Sequence, residues 1–181
     1  MSIQLADIPR VKLAHLPTPL EPLPRLSRHL GGPQIYIKRD DCTGLALGGN
    51  KVRKLEYLLA EAMAAGADTL ITEGGVQSNH CRQTAAAAAR TGLKCELVLK
   101  RVVDWNDPSY EETGNIQLDH LFGAKLHFIE RETDGTATMQ ARAEVIRAAG
   151  GKPWIIPIGG STPTGALGYV RCGLELLRQA D

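Results

Sequence analysis

Aromatic side chains are scarce in this chain, 4% of its residues, and neither sign of charge predominates. Twenty-one lysines and arginines face 20 aspartates and glutamates, for a formal net charge of +1. That balance, with no basic run or stripe, argues against nucleic acid or an anionic membrane surface as the main partner. The stretch Lys125 to Arg131 alternates too well with apolar residues to be a basic tail. No apolar run approaches the ~20 residues that cross a bilayer, and the N-terminus lacks the apolar core of a signal peptide; a cytoplasmic location is expected. Four cysteines (Cys42, Cys81, Cys95 and Cys172) are scattered without a CxxC pair, which argues against structural zinc and suits reduced thiols. No metal site is expected. Alanine, leucine and glycine are abundant, as in a packed α/β protein rather than a disordered one. The length of 181 residues allows one sizeable domain, or a small domain plus part of another.

The first 33 residues are irregular and punctuated by Pro9, Pro17, Pro19, Pro22, Pro24 and Pro33, with room for a short helix over Leu23 to Leu30. Gln34 to Arg39 alternates as a strand does. After a loop from Asp40 to Gly49, a helix opening at Lys51 runs to Gly66. A regular rhythm follows: strand Asp68–Thr72, helix Asn79–Arg90, strand Cys95–Lys100, helix Tyr110–Phe122, strand Lys125–Ile129, helix Thr136–Ala149, strand Trp154–Ile158, helix Gly165–Gln179. Such alternation specifies βαβ crossovers and an open parallel sheet flanked by helices. Trp105, Tyr110, His127 and Trp154 read as packing residues, and Ala85 to Ala89 as a face set close against the sheet.

Two stretches stand out. In Gly44–Leu59, Gly48 and Gly49 lead to Asn50, a good helix N-cap, and Lys51 falls in the first turn with Leu55, Leu58, Leu59 and Ala62 at helical spacing. The positive end of the helix dipole disfavours a cation there and helps an amine lose its proton, as Schiff-base chemistry with a carbonyl compound requires. A lone lysine is more commonly just a solvated side chain. A phosphate-loop reading fails, because Asn50 and Val52 stand where Lys and a hydroxyl residue would be needed. In Gly74–Gln83, two glycines precede Gln77-Ser78-Asn79-His80 at the head of an alanine-rich helix. Backbone amides there can bind a carboxylate or phosphate, or the segment is an ordinary cap with His80 a solvated neighbour. Ligands of parallel sheets lie at the carboxyl ends of the strands, so this turn and Gly159–Thr164 point toward one edge, where the Lys51 loop can join them.

Three segments, KRDDCTGLALGGNKVRKLE, GGVQSNHCRQTAA and IPIGGSTPTGALGYV, resemble the D-cysteine desulfhydrase and 1-aminocyclopropane-1-carboxylate deaminase family, which also contains L-cysteate sulfo-lyases. These are pyridoxal-phosphate enzymes of the tryptophan-synthase-β type (fold type II). The resemblance implies that Lys51 forms the Schiff base with pyridoxal phosphate, with Asn50 and Lys54 near the cofactor. Ser78 becomes the catalytic hydroxyl, Asn79 a partner of the cofactor ring hydroxyl, and Gln77, Ser78, Asn79 and His80 the substrate side. His80 matches the desulfhydrase members. The implied reaction is β-elimination on a small amino acid, a β-substituted alanine, releasing sulfide or sulfite with pyruvate and ammonia. Cyclopropane-opening deamination is the alternative. A homodimer is implied as well.

Members of that family are considerably longer. The expected division is therefore residues 1–51 and 158–181 as part of a larger cofactor domain, and 52–157 as a smaller α/β domain. A reading of another class is a catalytically silent fragment or assembly module, exposing apolar positions such as Leu16, Leu20, Leu23 and Ile37.

Overall fold

The structure is a computed structural model that describes residues 5–180, so residues 1–4 and Asp181 of the expected cofactor-domain segments lie outside it. A short antiparallel pair comes first, β1 (Leu20–Pro22) with β2 (Tyr36–Lys38), joined through α1 (Pro24–Leu30). The first of these strands is hidden in the sequence by its prolines. Pro22 can occupy it because the pair has only edges, where a missing N–H costs nothing.

The rest alternates as expected: α2 (Lys51–Ala64), β3 (Thr69–Gly75), α3 (Asn79–Thr91), β4 (Lys94–Lys100), α4 (Asn115–Leu121), β5 (Lys125–Ile129), α5 (Gly135–Ala148), β6 (Pro153–Ile156) and α6 (Pro163–Gln179). The four later strands form one parallel sheet in the order β5-β4-β3-β6. Alternate residues face opposite sides of it. Leu70, Leu97 and Leu99 pack with Leu55, Leu58, Leu59, Ala62 and Ala85 of α2 and α3, whereas Ile71 and Val98 pack on Met139 and Ala143 of α5. Full burial of each leucine contributes roughly 1.5–3 kcal/mol, so the two-sided cover fixes the register.

Four expectations change in detail. The helix expected over Tyr110–Phe122 is interrupted: a 3-10 turn at Pro108–Glu111 is separated from α4 by Gly114, whose φ of 62° is left-handed. A Cβ on Gly114 would lie 2.7 Å from Gln77 Oε1, so the side chain of a distant loop occupies the break. Strand β6 stops at Ile156 rather than Ile158, because Pro157 carries no N–H to continue the ladder. Trp105 is 61% exposed and is not a packing residue, unlike Tyr110 and Trp154, which pack on the core. The alanine face runs over Ala85–Ala88, and Ala89 turns outward.

Helix α6 lies against α2 at very close range. A Cβ on Gly168 would sit 2.2 Å from the Arg53 carbonyl oxygen, so only glycine allows the crossing. Arg53, wholly buried, then ties distant segments together: it donates to both Asp40 carboxylate oxygens, to Thr18 Oγ1 and to both Glu175 oxygens. The irregular N-terminal segment is held by the buried Glu56 of α2, which accepts from the Leu13 and Ala14 amides at 2.9 and 3.0 Å and pairs with Arg10. Among the described residues, no helix is long and apolar enough to cross a membrane.

Candidate functional site

Strands β3 and β6 are neighbours, with Thr72 opposite Ile156, so the turns that follow them emerge side by side. Thr72 locks the two: its hydroxyl donates to Ile156 O at 2.7 Å. That hydroxyl proton is thereby committed, so the 2.9 Å contact with His80 Nε2 has the imidazole donating. His80 is therefore the neutral Nε2–H tautomer, with an unprotonated Nδ1 that is buried and has no partner among the described residues. Burial, and then the nearby Lys51 and Lys54 charges, push His80 down to about 4. The expected alternative of a solvated His80 is thus corrected: at 5% exposure it forms part of the wall behind the Gly159–Gly160 turn.

Lys51 stands in the first turn of α2, as expected, but Asn50 does not cap it. Asn50 has helical backbone angles and makes no side-chain cap bond. The cap comes from another helix: Gln83 of α3 accepts from Lys51 N at 3.1 Å and donates to Gly49 O at 3.0 Å. Freed from capping, Asn50 accepts from Lys51 Nζ at 3.3 Å and donates to the Tyr169 hydroxyl. Lys54, one turn on, donates to Gly159 O and Ser161 Oγ, both at 3.1 Å. Burial and the Lys51 charge lower its pKa. Neither lysine has a carboxylate partner among the described residues. Position 159 closes the arrangement, since a Cβ there would stand 3.8 Å from Lys51 Cε. A cleft of about 460 Å³ lined by Lys54, Ser161, Thr162, Pro163, Ala166 and Tyr169 flanks it.

Ser78 is the N-cap of α3 and accepts from Cys81 N at 3.2 Å. It sits directly on Gly74, where a Cβ would come within 2.5 Å of its hydroxyl oxygen; this explains the first glycine of the motif. The amides of Asn79 and His80 have no acceptor among the described residues and remain available at the helix start. Asn79 is exposed, and its Oδ1 accepts from Arg82 at 2.9 Å and Asn115 at 3.2 Å, which leaves its NH₂ group free to donate. Gln77 is fully engaged: it donates to the Tyr110 and Thr113 carbonyls and accepts from Asn115 N. In this structure its amide fastens the approach to α4, and the backbone N–H groups are what the turn offers a carboxylate.

Two contributors escaped the sequence reading, Gln83 and Arg82. Both lie in what reads as an ordinary polar stretch of helix; the tertiary crossing of α3 with the Gly48–Lys51 loop gives each its distant partner, and Arg82 has Asn79 in its own helix besides. Among the described residues no group of three or more His, Cys, Asp or Glu gathers as a metal site.

The donor set fits pyridoxal phosphate. Two neighbouring lysines without a carboxylate partner among the described residues suit an anionic aldehyde, the glycines at 159 and 160 leave room beside them, and the N–H groups at the head of α3 face the same edge. Comparison with known proteins agrees. Residues 11–181 match the family described as pyridoxal-phosphate dependent enzyme. The chain is 49% identical to D-cysteine desulfhydrase of Salmonella typhi over 98% of its own length and 54% of that protein. It is 50% identical to D-cysteine desulfhydrase of Klebsiella pneumoniae subsp. pneumoniae over 100% of its length and 55% of that protein. Among solved structures it superposes on an ACC deaminase homologue with a TM-score of 0.86 and 43% identity, covering 97% of this chain and 52% of that one. The chain spans about half the length of the curated relatives it matches. With its first-turn lysine, the parallel sheet that follows it and its glycine-lined turns, this chain belongs to the family of pyridoxal-phosphate-dependent enzymes.

Proposed function

We propose that this chain supplies the lysine and the hydroxyl-bearing turn of a lyase acting on a β-substituted alanine, with D-cysteine as the substrate the relatives favour. The observation that carries the reading is the convergence of Lys51 and Lys54 on the Gly159–Ser161 turn, beside the turn of Ser78. When bound, pyridoxal phosphate supplies an electron sink for negative charge at the substrate α-carbon. Lys51 Nζ would hold the cofactor and, as a free amine, would be the general base for the substrate α-proton. Asn50 Oδ1 steers that amine. Lys54 Nζ, held by Gly159 and Ser161, presents charge toward the phosphate. The free Asn79 NH₂ group would be the donor for the cofactor ring hydroxyl. The Asn79 and His80 amides hold the substrate carboxylate, and Ser78 Oγ orients it or passes a proton.

The division follows the resemblance: residues 1–51 and 158–181 belong to the larger cofactor domain, and 52–157 form the smaller one. A cytoplasmic homodimer is the matching assembly, the location supported by four free cysteines. Cyclopropane-opening deamination is the second reading, supported by the solved ACC deaminase homologue. L-Cysteate sulfo-lysis stays within the same chemistry.

The full-length protein is expected to be yellow as purified, to lose that colour on borohydride treatment and to carry the label on Lys51. Of D-cysteine, L-cysteate and 1-aminocyclopropane-1-carboxylate, D-cysteine is expected to release ammonia, the product common to all three, fastest. Substituting Lys51→Ala should abolish turnover; label on another lysine, or turnover surviving in that variant, would sink the reading.

A further inference from the structure

Arg82 of α3 is 4% exposed, yet it belongs to no ion pair among the described residues. Its two Nη2 hydrogens are spent on Gly48 O at 3.1 Å and Asn79 Oδ1 at 2.9 Å, while Nε and Nη1 are buried without a partner among the described residues. Asp119 of α4 is wholly buried, and both its carboxylate oxygens also lack hydrogen-bond partners among the described residues. Helices α3 and α4, which carry these two opposite charges, pack against each other. As a stabilising device this is poor. A buried charge costs more than an apolar side chain of similar volume unless its hydrogen bonds are complete. What the guanidinium achieves is geometric. Gly48 stands three residues before Lys51, in a conformation only glycine tolerates: φ is +76°, and a Cβ would lie 1.8 Å from Asp41 O. Asn79 follows Ser78 directly. A single planar group thus spans the backbone that enters the lysine and the turn that bears the hydroxyl. The next residue along α3, Gln83, grips Gly49 and Lys51 beside it.

We propose that Arg82 is a positioning residue for the reaction, a buried fork that sets the spacing between the Lys51 loop and the Ser78 turn, with Asp119 as its countercharge. This rests on the lyase reading above for its catalytic consequence, though not for its structural one. Arg82 touches neither reacting group; it acts through Gly48 and Asn79. Its planarity matters as much as its charge, because an ammonium cannot reproduce two donors at fixed separation. Misplacement by about 1 Å can cost on the order of 100-fold in rate, so a loosened fork is felt in turnover before it is felt in binding.

The test uses the full-length holoenzyme with Arg82→Lys, which keeps the charge, and Asp119→Asn, which keeps the shape. Two readouts are taken: hydrogen exchange in the peptide spanning Gly48–Lys51, with β4 as internal control, and steady-state kinetics per cofactor-loaded site. In Arg82→Lys, exchange in the Gly48–Lys51 peptide is expected to quicken by about tenfold while β4 is unchanged. There kcat is expected to fall about tenfold or more, with KM held within about threefold. Asp119→Asn is expected to move both readouts in the same direction by less. Unchanged exchange at Gly48–Lys51, or kcat within about twofold of the parent, overturns the positioning role. Exchange that quickens equally in β4 marks a global loss of stability and overturns it too. An Asp119→Asn protein identical to the parent in both readouts removes the countercharge assignment. If exchange quickens as expected but the parent turns over none of the amino acids, the positioning role stands and the lyase reading falls. If the parent consumes D-cysteine and exchange does not change, the reverse holds.

Discussion

Ser78 carries two duties that a single substitution can separate. Its hydroxyl caps α3, and such a cap contributes ~0.5–2 kcal/mol. Ser78→Ala should therefore lower stability by about 1 kcal/mol and slow turnover, while leaving the cofactor bound. Ser78→Asn, whose side chain also caps well, should restore the stability measured by urea unfolding but not the turnover. Full turnover in either variant would refute the role given to that oxygen. Two buried titrating groups make a second residue-scale case. His80 is held at about 4, below its ordinary value of 6.5, so the unfolded chain binds the extra proton; its contribution is full above 6.5 and is lost as pH falls toward 4. Asp119 is pushed up to about 7 by burial, against the pull of Arg82. Its contribution has the opposite sign: present in acid and lost as pH rises through 7. Each is worth on the order of 3 kcal/mol, so in the parent they largely cancel between pH 4.5 and 6.5. Replacing Asp119 with Asn should expose a clear rise of stability with pH across that window, read by urea midpoints. A curve as flat as the parent's would show that His80 does not titrate as described.

At the scale of elements, the decisive contacts run between motifs rather than along them. Helix α2 begins on a cap supplied by Gln83 of α3, so Gln83→Leu removes the acceptor of Lys51 N and one of the two donors to Gly49 O, the Thr43 hydroxyl being the other. A loss of ~1–3 kcal/mol is expected, together with weaker cofactor retention, measured by thermal melts and by absorbance after dialysis. Sequence alone showed the alternation of strands and helices, the buried leucine stripe of α2 and the alanine face of α3, because each of these is periodic. It showed Lys51 and Ser78 because glycines and a cap signal surround them. It assigned the α2 cap to Asn50 because cap preferences describe neighbours in the chain, and a glutamine 32 residues later leaves no local trace. β1 was missed for a related reason, since proline suppresses the strand signal in a pair that has no interior. Gly114 was absorbed into a long helix because its reason for being glycine, the Gln77 side chain, lies on another loop.

For the molecule as a whole, Arg53 joins what the sequence separates. Thr18, Asp40 and Glu175 converge on it, binding the irregular N-terminal segment and α6 to α2. Removing one member of a buried charge network typically costs about 3–5 kcal/mol, and Arg53→Met is expected to fall in that range in denaturant unfolding. Arg53→Lys should recover only part of it, because the guanidinium serves three partners at once. The apolar surface also departs from expectation. Of Leu16, Leu20, Leu23 and Ile37, only Ile37 is exposed, whereas Leu30, Tyr36 and Leu177 stand out at 61, 55 and 68%.

The order β5-β4-β3-β6 also has a consequence in time. The partner on the far side of β3 is 78 residues downstream, counted from Gly75 to Pro153. At a synthesis rate of roughly 5–20 residues per second, a ribosome takes on the order of ten seconds to deliver it. Through that interval the nascent chain carries a naked β-edge of threonine, leucine and isoleucine, open to pairing with any neighbouring polypeptide. The arrival of β6 trades that seven-residue edge for one of four residues, a shorter template for a passing chain to pair with.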